Sequence, residues 1–439
     1  MRVEPAVSLV GHVVVPGDKS ISHRAVLIGA LGEGETRVHG FGRSGDTQAT
    51  VDAVRALGVE VEDVADDELV VHGVGLRGLG RPMDPHAQRP MGTQAHTVSC
   101  ANSGTLMRLL AGVLTGQEGE FTLTGDESLT PRPMERVAGP LRRMGADVET
   151  TEGHAPLAVR GTGALRGIEI EPEVASAQVK SAILLAGLNA DGPTTVIERI
   201  PTRDHTERML EAAGVRLRRS ASSVRVEPAG ALRLGEVVVP GDFSSAAPLL
   251  VAAALVPGSD LTIHDLGVNP RRTGLLAVLE RMGARVSVFD RRRAGGEPVG
   301  SVQVQPGELV ATEVGADEVP SLVDELPLVA LLASHARGET RVSGAGELRV
   351  KETDRIEAVT DGLRPLGARI HSREDGWTVT GVPARLRGGR VDARGDHRIA
   401  MLGAVAGLSS REGVEIEGAD MAAISFPGFY ELLESVTRR

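Results

Sequence analysis

The segment VVVPGD occurs at 13–18 and again at 237–242, inside a sixfold repeat that restricts the fold more than any other feature of the chain. Six stretches share one outline: a polar start, a spine of small apolar residues, a Gly or Pro break and a short β-rich run. They are KSISHRAVLIGALGEGETRV (19–38), NSGTLMRLLAGVLTGQEGEFTL (102–123), AQVKSAILLAGLNADGPTTVI (177–197), FSSAAPLLVAAALVPGSDLTI (243–263), DELPLVALLASHARGETRV (324–342) and DHRIAMLGAVAGLSSREGVEI (396–416). Each reads as a mostly buried helix, a turn and a strand. After each of the first five comes a second helix ending at a glycine (Gly58, Gly145, Gly214, Gly283, Gly367), where a left-handed C-terminal residue is expected, and then another strand. The sixth repeat ends in SFPGFYELLESV (425–436) without that strand, and the unpaired run LVGHVVV near the N-terminus is expected to replace it. The N-terminal strand then belongs with repeats four to six, and the chain crosses twice. VVVPGD marks each crossing as a strand end and hinge, with Pro fixing one dihedral and Gly permitting the turn.

Composition narrows the function. Aromatic residues are only 2%, so Val, Leu, Ile and Ala must build the cores. The single cysteine, Cys100, permits no intrachain disulfide, fits a reducing compartment and is expected to be a buried small residue. A net charge of −11 argues against nucleic acid as a partner. The longest apolar run, AAPLLVAAALV (246–256), holds Pro248 and is too short to span a bilayer, and MRVEPAVSLVGHVVV has no signal-peptide pattern. We therefore expect a cytoplasmic protein with no membrane partner. GVGLRG (73–78) spells a dinucleotide fingerprint, but the Pro-bearing GRPMDPHAQRP follows where a helix would be needed. The histidines lack zinc spacing, His86 and His96 being separated by a proline, so neither a metal nor a cofactor is expected.

Polar residues collect at the helix starts. One layer holds Lys19, Ser20, Asn102, Ser176, Gln178, Asp324, Asp396, His397 and Arg398; a second holds Arg132, Thr202, Arg203, Lys351, Glu352 and Arg355. Helix N-termini favour anions, and added Lys and Arg suit phosphates or carboxylates. Ser and Asp at such places are usually N-caps, the reading given to Ser244 and Asp46. Capping does not explain Arg132, Arg355 and Arg398, because arginine opposes the dipole there.

PGDKSISHR (16–24), NSGTLMR (102–108), SAQVKSA (176–182), LRVKETDRI (348–356) and DHRIAM (396–401) resemble, in order and over about residues 10–430, the motifs of the 3-phosphoshikimate 1-carboxyvinyltransferases, or EPSP synthases. The resemblance implies an α/β fold of two similar domains, 18–238 and 1–17 plus 239–439, each of three βαβαββ-type units, joined by two crossover hinge strands. It implies transfer of an enolpyruvyl group from phosphoenolpyruvate to shikimate 3-phosphate, with those two small molecules as partners; separately, we expect a monomer. It places Ser20, Arg24, Ser176, Ala177, Gln178, Thr202, Arg203, Asp324 and Lys351 on shikimate 3-phosphate. Asn102, Gly104, Arg132, Gln178, Arg355 and Arg398 fall on phosphoenolpyruvate, and Lys19 on both. Asp324 fits the general base; Glu352 with Lys19 fits the proton donor. Two positions depart from the pattern: Ile424 stands where many relatives have lysine, and Ala177 replaces serine, which limits that contact to backbone.

Three other readings compete, one of them a pathway paralogue that acts on another cyclic phosphate acceptor. The related UDP-sugar enolpyruvyl transferases typically carry Lys-Asn where this chain has Lys19-Ser20, and a loop cysteine placed differently from Cys100. A non-catalytic anion-binding protein would have little use for Asp324, Glu352 and Lys19 together.

Overall fold

The structure is a computed structural model that describes residues 1–80 and 95–439. The proline stretch after GVGLRG, with His86, lies outside the described residues. The chain forms two compact units: Met1–Asp18, Pro240–Arg293 and Pro298–Arg439 in one, Lys19–Val239 with Ala294–Glu297 in the other. Each has its own aliphatic core.

The repeat is visible as one sheet pattern. Strand Ala95–Ser99 runs parallel to Gly119–Thr124, which pairs antiparallel with His154–Gly161, itself antiparallel to Asp147–Thr151. The third and fifth repeats follow the same order, centred on Thr194–Ile197 and Gly338–Val342. The five helix-terminal glycines at 58, 145, 214, 283 and 367 all have φ between 88° and 103°, a conformation that side chains with a Cβ resist.

The doubled VVVPGD supplies the strand that two repeats lack. Repeats one and four begin just after a crossing, and the strand directly upstream of each first helix pairs in the sheet of the other repeat. Repeat four takes Ser8–Val13, parallel to Asp260–Gly267 with Val13 opposite Ile263. Repeat one takes Glu236–Val238, parallel to Glu33–His39 with Val238 opposite His39. Each copy therefore ends a strand that runs parallel to the first strand of the repeat it completes, and the chain then leaves that sheet. Beyond the strands, the two PGD turns pair with each other: the amide of Asp18 donates to the Pro240 carbonyl and that of Asp242 to the Pro16 carbonyl, both at 2.8 Å.

This corrects the expected destination of LVGHVVV. The sixth repeat completes its sheet with Arg2–Val3, antiparallel to Val414–Glu417, while LVGHVVV serves repeat four and also pairs with Thr437–Arg438. The N-terminal strand lies in the same unit as repeats four to six and pairs with repeat four, so the last repeat is completed by the two residues Arg2–Val3.

A central helix opens each repeat and is buried on nearly every face: Lys19–Ala30, Gly104–Leu114 and Ala177–Gly187 in one unit, Phe243–Leu255, Leu326–His335 and His397–Ser409 in the other. Few aromatics and many small residues let these helices approach closely. At Gly112 an added Cβ would lie 2.3 Å from the Ala182 carbonyl oxygen of the neighbouring central helix. No helix among the described residues is long and apolar enough to cross a membrane. Cys100 is fully buried, and desolvation pushes its thiol up to about 12, so it is chemically quiet.

Candidate active site

In the unit that holds Lys19–Val239, the N-terminal ends of the three central helices are tied together by side chains. Arg24 is buried; its Nε donates to Thr206 Oγ1 at 2.6 Å, Nη2 to Ser181 Oγ at 2.9 Å and Nη1 to the Ser20 carbonyl at 2.8 Å. Lys19 Nζ bonds Asp46 Oδ2 at 2.7 Å. Asp46 is thus a partner of Lys19 and not a cap: Ser44 caps that helix, in a capping box with Thr47. Ser103 caps the Gly104 helix and Ser176 caps the Ala177 helix. Asn102 Oδ1 accepts from Arg132 Nη2 at 2.8 Å, and a Cβ on Gly104 would come within 3.5 Å of both Arg132 Nη1 and Arg108 Nη1. Gln178 is held at both ends of its amide, by Arg108 through Oε1 and by Thr105 Oγ1, 2.8 Å from Nε2. Thr202 donates its hydroxyl to Glu198, which pairs with the buried Lys180 at 2.9 Å; Arg203 follows, half-buried, before the helix His205–Ala212.

His23, one residue before Arg24, is fully buried between Thr50 and Ser103. Desolvation, helped by Lys19 and Arg24 and opposed by Asp46, pushes its imidazole down to about 3. An unfolded histidine binds a proton near pH 6.5. Between those two values the unfolded chain holds the extra proton, so stability rises with pH through this window and is complete above it. We expect wild type to lose about 2 kcal/mol more than His23→Asn between pH 7 and pH 5 in urea unfolding. Equal losses would show that His23 titrates alike in both states.

The unit formed by residues 1–18, 240–293 and 298–439 carries a second cluster. Arg355 opens the helix Arg355–Leu363, capped by Asp354, and is buried. Its Nε bonds Asp396 Oδ2 and its Nη2 bonds Glu352 Oε2, both at 2.7 Å. Burial alone would pull this guanidinium down, but Asp396, Glu352 and Asp324 outweigh it and hold it above the ordinary arginine value. Asp396 caps the helix His397–Ser409. Arg398 donates from Nη1 to the Ser244 carbonyl at 3.0 Å. Asp324 is half-buried, with Oδ1 3.5 Å from Arg355 Nη1 and 4.0 Å from Lys351 Nζ. It does not cap its helix, since the residue at that position is Glu325. Lys351 and Glu352 lie in a bend before the Asp354 cap and not in a first helical turn.

Sequence reasoning missed several members of these clusters. Thr105 and Arg108 lie in the quoted NSGTLMR motif, one and four positions after Gly104, yet their grip on Gln178 is legible only in three dimensions. Arg272 and Glu325 were not identified at all, and Ser244, read as a cap, is not one. Asp242 caps that helix, and the Ser244 hydroxyl bonds Glu325 and Arg272. Ile424 ends a short 3-10 turn, Ala419–Ile424, and is half-buried. Among the described residues, the only convergence of metal-ligand types is the cross-strand trio Glu60, Glu62 and His72, which includes none of the candidate site residues and is largely exposed.

Residues 3–433 match the profile of the EPSP synthase (3-phosphoshikimate 1-carboxyvinyltransferase) family. A 3-phosphoshikimate 1-carboxyvinyltransferase of Halorhodospira halophila is 48% identical over 98% of this chain and 95% of its own length. The solved EPSP synthase of Acinetobacter baumannii superposes with a TM-score of 0.85 at 41% identity, over 99% of this chain and 98% of that one. The enolpyruvyl transferase NikO of Streptomyces tendae shares the fold, with a TM-score of 0.77 at 18% identity over 99% and 96% of the two chains.

Proposed function

The chain belongs to the EPSP synthase (3-phosphoshikimate 1-carboxyvinyltransferase) family, and we propose that the two residue clusters described above carry out its reaction. That reaction transfers the enolpyruvyl group of phosphoenolpyruvate to the 5-hydroxyl of shikimate 3-phosphate and releases phosphate, a step of the shikimate pathway toward aromatic amino acids. Each substrate brings a phosphate of about −1.5 to −2 charges in addition to a carboxylate. Holding both demands several cations, and we assign Arg132, Arg355 and Arg398, with the Asn102–Gly104 backbone, to phosphoenolpyruvate. Ser20, Arg24, Ser176, the Ala177 backbone, Thr202, Arg203 and Lys351 are assigned to shikimate 3-phosphate. Gln178 and Lys19 serve both ligands. These assignments draw on residues of both units, so we take the units as the two transferase domains, 18–238 and 1–17 plus 239–439, and the VVVPGD crossings as their hinges.

The chemistry is addition followed by elimination. Asp324 accepts the proton of the acceptor hydroxyl while Glu352 or Lys19 protonates the methylene carbon of phosphoenolpyruvate. The oxygen then attacks the neighbouring carbon, and loss of phosphate and of one methyl proton restores the double bond. The observation that carries this reading is the half-buried Asp324 carboxylate, with guanidinium groups at 3.5 Å from both of its oxygens, beside Glu352 on Arg355. Held among these cations, the carboxylate is placed to serve as the base. We further take a cytoplasmic monomer as the working form. Phosphate release from phosphoenolpyruvate, measured with and without shikimate 3-phosphate, tests the reading: release should require the acceptor, and release independent of it would contradict the assignment.

A further inference from the structure

Arg272 belongs to no motif of the sequence, yet its guanidinium lies beside Asp324 and is engaged on several sides. The turn Asn269–Thr273 fixes its backbone, with the Arg272 amide donating to the Asn269 carbonyl at 2.8 Å and that of Thr273 to the same oxygen at 3.1 Å. Its side chain is 6% exposed. Nη2 donates to Ser244 Oγ and lies 3.7 Å from Asp242 Oδ1; Nη1 lies 3.4 Å from Glu325 Oε2 and 3.5 Å from Asp324 Oδ2. Ser244 Oγ in turn donates to Glu325 Oε1, so the guanidinium is braced from behind by a serine and a fully buried carboxylate. Asp324 is gripped from two directions: Arg272 faces Oδ2, while Arg355 and Lys351 face Oδ1.

We propose that Arg272 is a positioning residue for the reaction, its braced guanidinium fixing the rotation of the Asp324 carboxylate so that one oxygen is presented to the acceptor hydroxyl. This rests on the reading of Asp324 as the base. A carboxylate held through one oxygen swings about its Cβ–Cγ bond, and proton transfer falls steeply when the base leaves hydrogen-bond reach. Held through both oxygens, it does not swing. A planar fork with several fixed donors suits this task, and an ammonium on a flexible stem does not. The rival role is purely structural, in which Arg272 neutralises Asp242 and Glu325 and leaves Asp324 unaffected.

A double-mutant cycle separates the two. Arg272→Gln should lower kcat about tenfold or more, with the KM of each substrate changed by less than about threefold. In an Asp324→Asn background the same substitution should lower kcat no further, because nothing remains to be positioned. Arg272→Lys keeps the charge that the buried acids require, so it should hold the wild-type unfolding midpoint while recovering only part of kcat; it replaces Arg272→Gln in the cycle if that variant does not fold. Equal losses in the two backgrounds, or an undiminished kcat in the single variants, would overturn the proposal. Wild-type kcat in Asp324→Asn alone would instead remove the base assignment, and the positioning role with it.

Discussion

Replacing Asp324 by asparagine is expected to lower kcat by about 10²- to 10⁴-fold, the range that loss of a general base commonly gives. Asparagine keeps the shape but accepts no proton, so shikimate 3-phosphate should bind with nearly unchanged affinity. Steady-state phosphate release read beside calorimetric titration of shikimate 3-phosphate checks this. A loss of binding as large as the loss of kcat would make Asp324 a substrate ligand and not a base.

Arg355→Ala is expected to be costly in a different way. Asp396 and Glu352 each bond this guanidinium at 2.7 Å, and Asp324 lies 3.5 Å away. Removing one partner of a buried ion pair leaves the other charge uncompensated and typically costs about 3–5 kcal/mol. Asp396 also caps the helix His397–Ser409, so the lesion spreads to Arg398. The variant should unfold at clearly lower urea concentration and also lose kcat/KM for phosphoenolpyruvate. Arg132→Ala makes the contrast. The bonds of Arg132 to the Ser128 carbonyl and hydroxyl and to the Asn102 amide oxygen leave no charge behind when they are broken. Its loss should weaken phosphoenolpyruvate use by roughly tenfold to a hundredfold, as for a hydrogen bond to a charged group, with little change in the unfolding midpoint. Equal destabilisation by the two substitutions would contradict this division.

The repeats and the glycines were legible because they are local: a left-handed helix end requires the same residue every time, and five glycines met that demand. The doubled VVVPGD was legible as a twice-used device, but its strand partners were not. Pairing depends on which repeat each strand joins across the crossing, a property of topology and not of the six residues. Within the candidate site, residues in dense motifs stood out, whereas Arg272 sits in the linker turn NPRRTG, where an arginine looks like ordinary surface charge. The roles of Ser244 and Asp46 were misjudged for a related reason. A polar residue near a helix start has a local use as a cap, and only the fold reveals that Asp242 and Ser44 already fill it. The buried trio of Lys180 with Glu198 and Glu207 was hidden likewise, because its members are spread over two elements and a loop.

Arg132, Arg355 and Arg398 would serve equally well in a cleft that transfers a phosphoryl group, so the bond that breaks is the feature that distinguishes enolpyruvyl transfer. Protonation by Glu352 or Lys19 makes carbon the electrophile, and phosphate leaves with the bridging oxygen. A kinase would attack phosphorus and leave that oxygen on the three-carbon fragment. Phosphoenolpyruvate carrying heavy oxygen at the bridging position, turned over with shikimate 3-phosphate and analysed by mass spectrometry, reads the difference directly. The label should be found in free phosphate; label retained on the three-carbon fragment would contradict the mechanism.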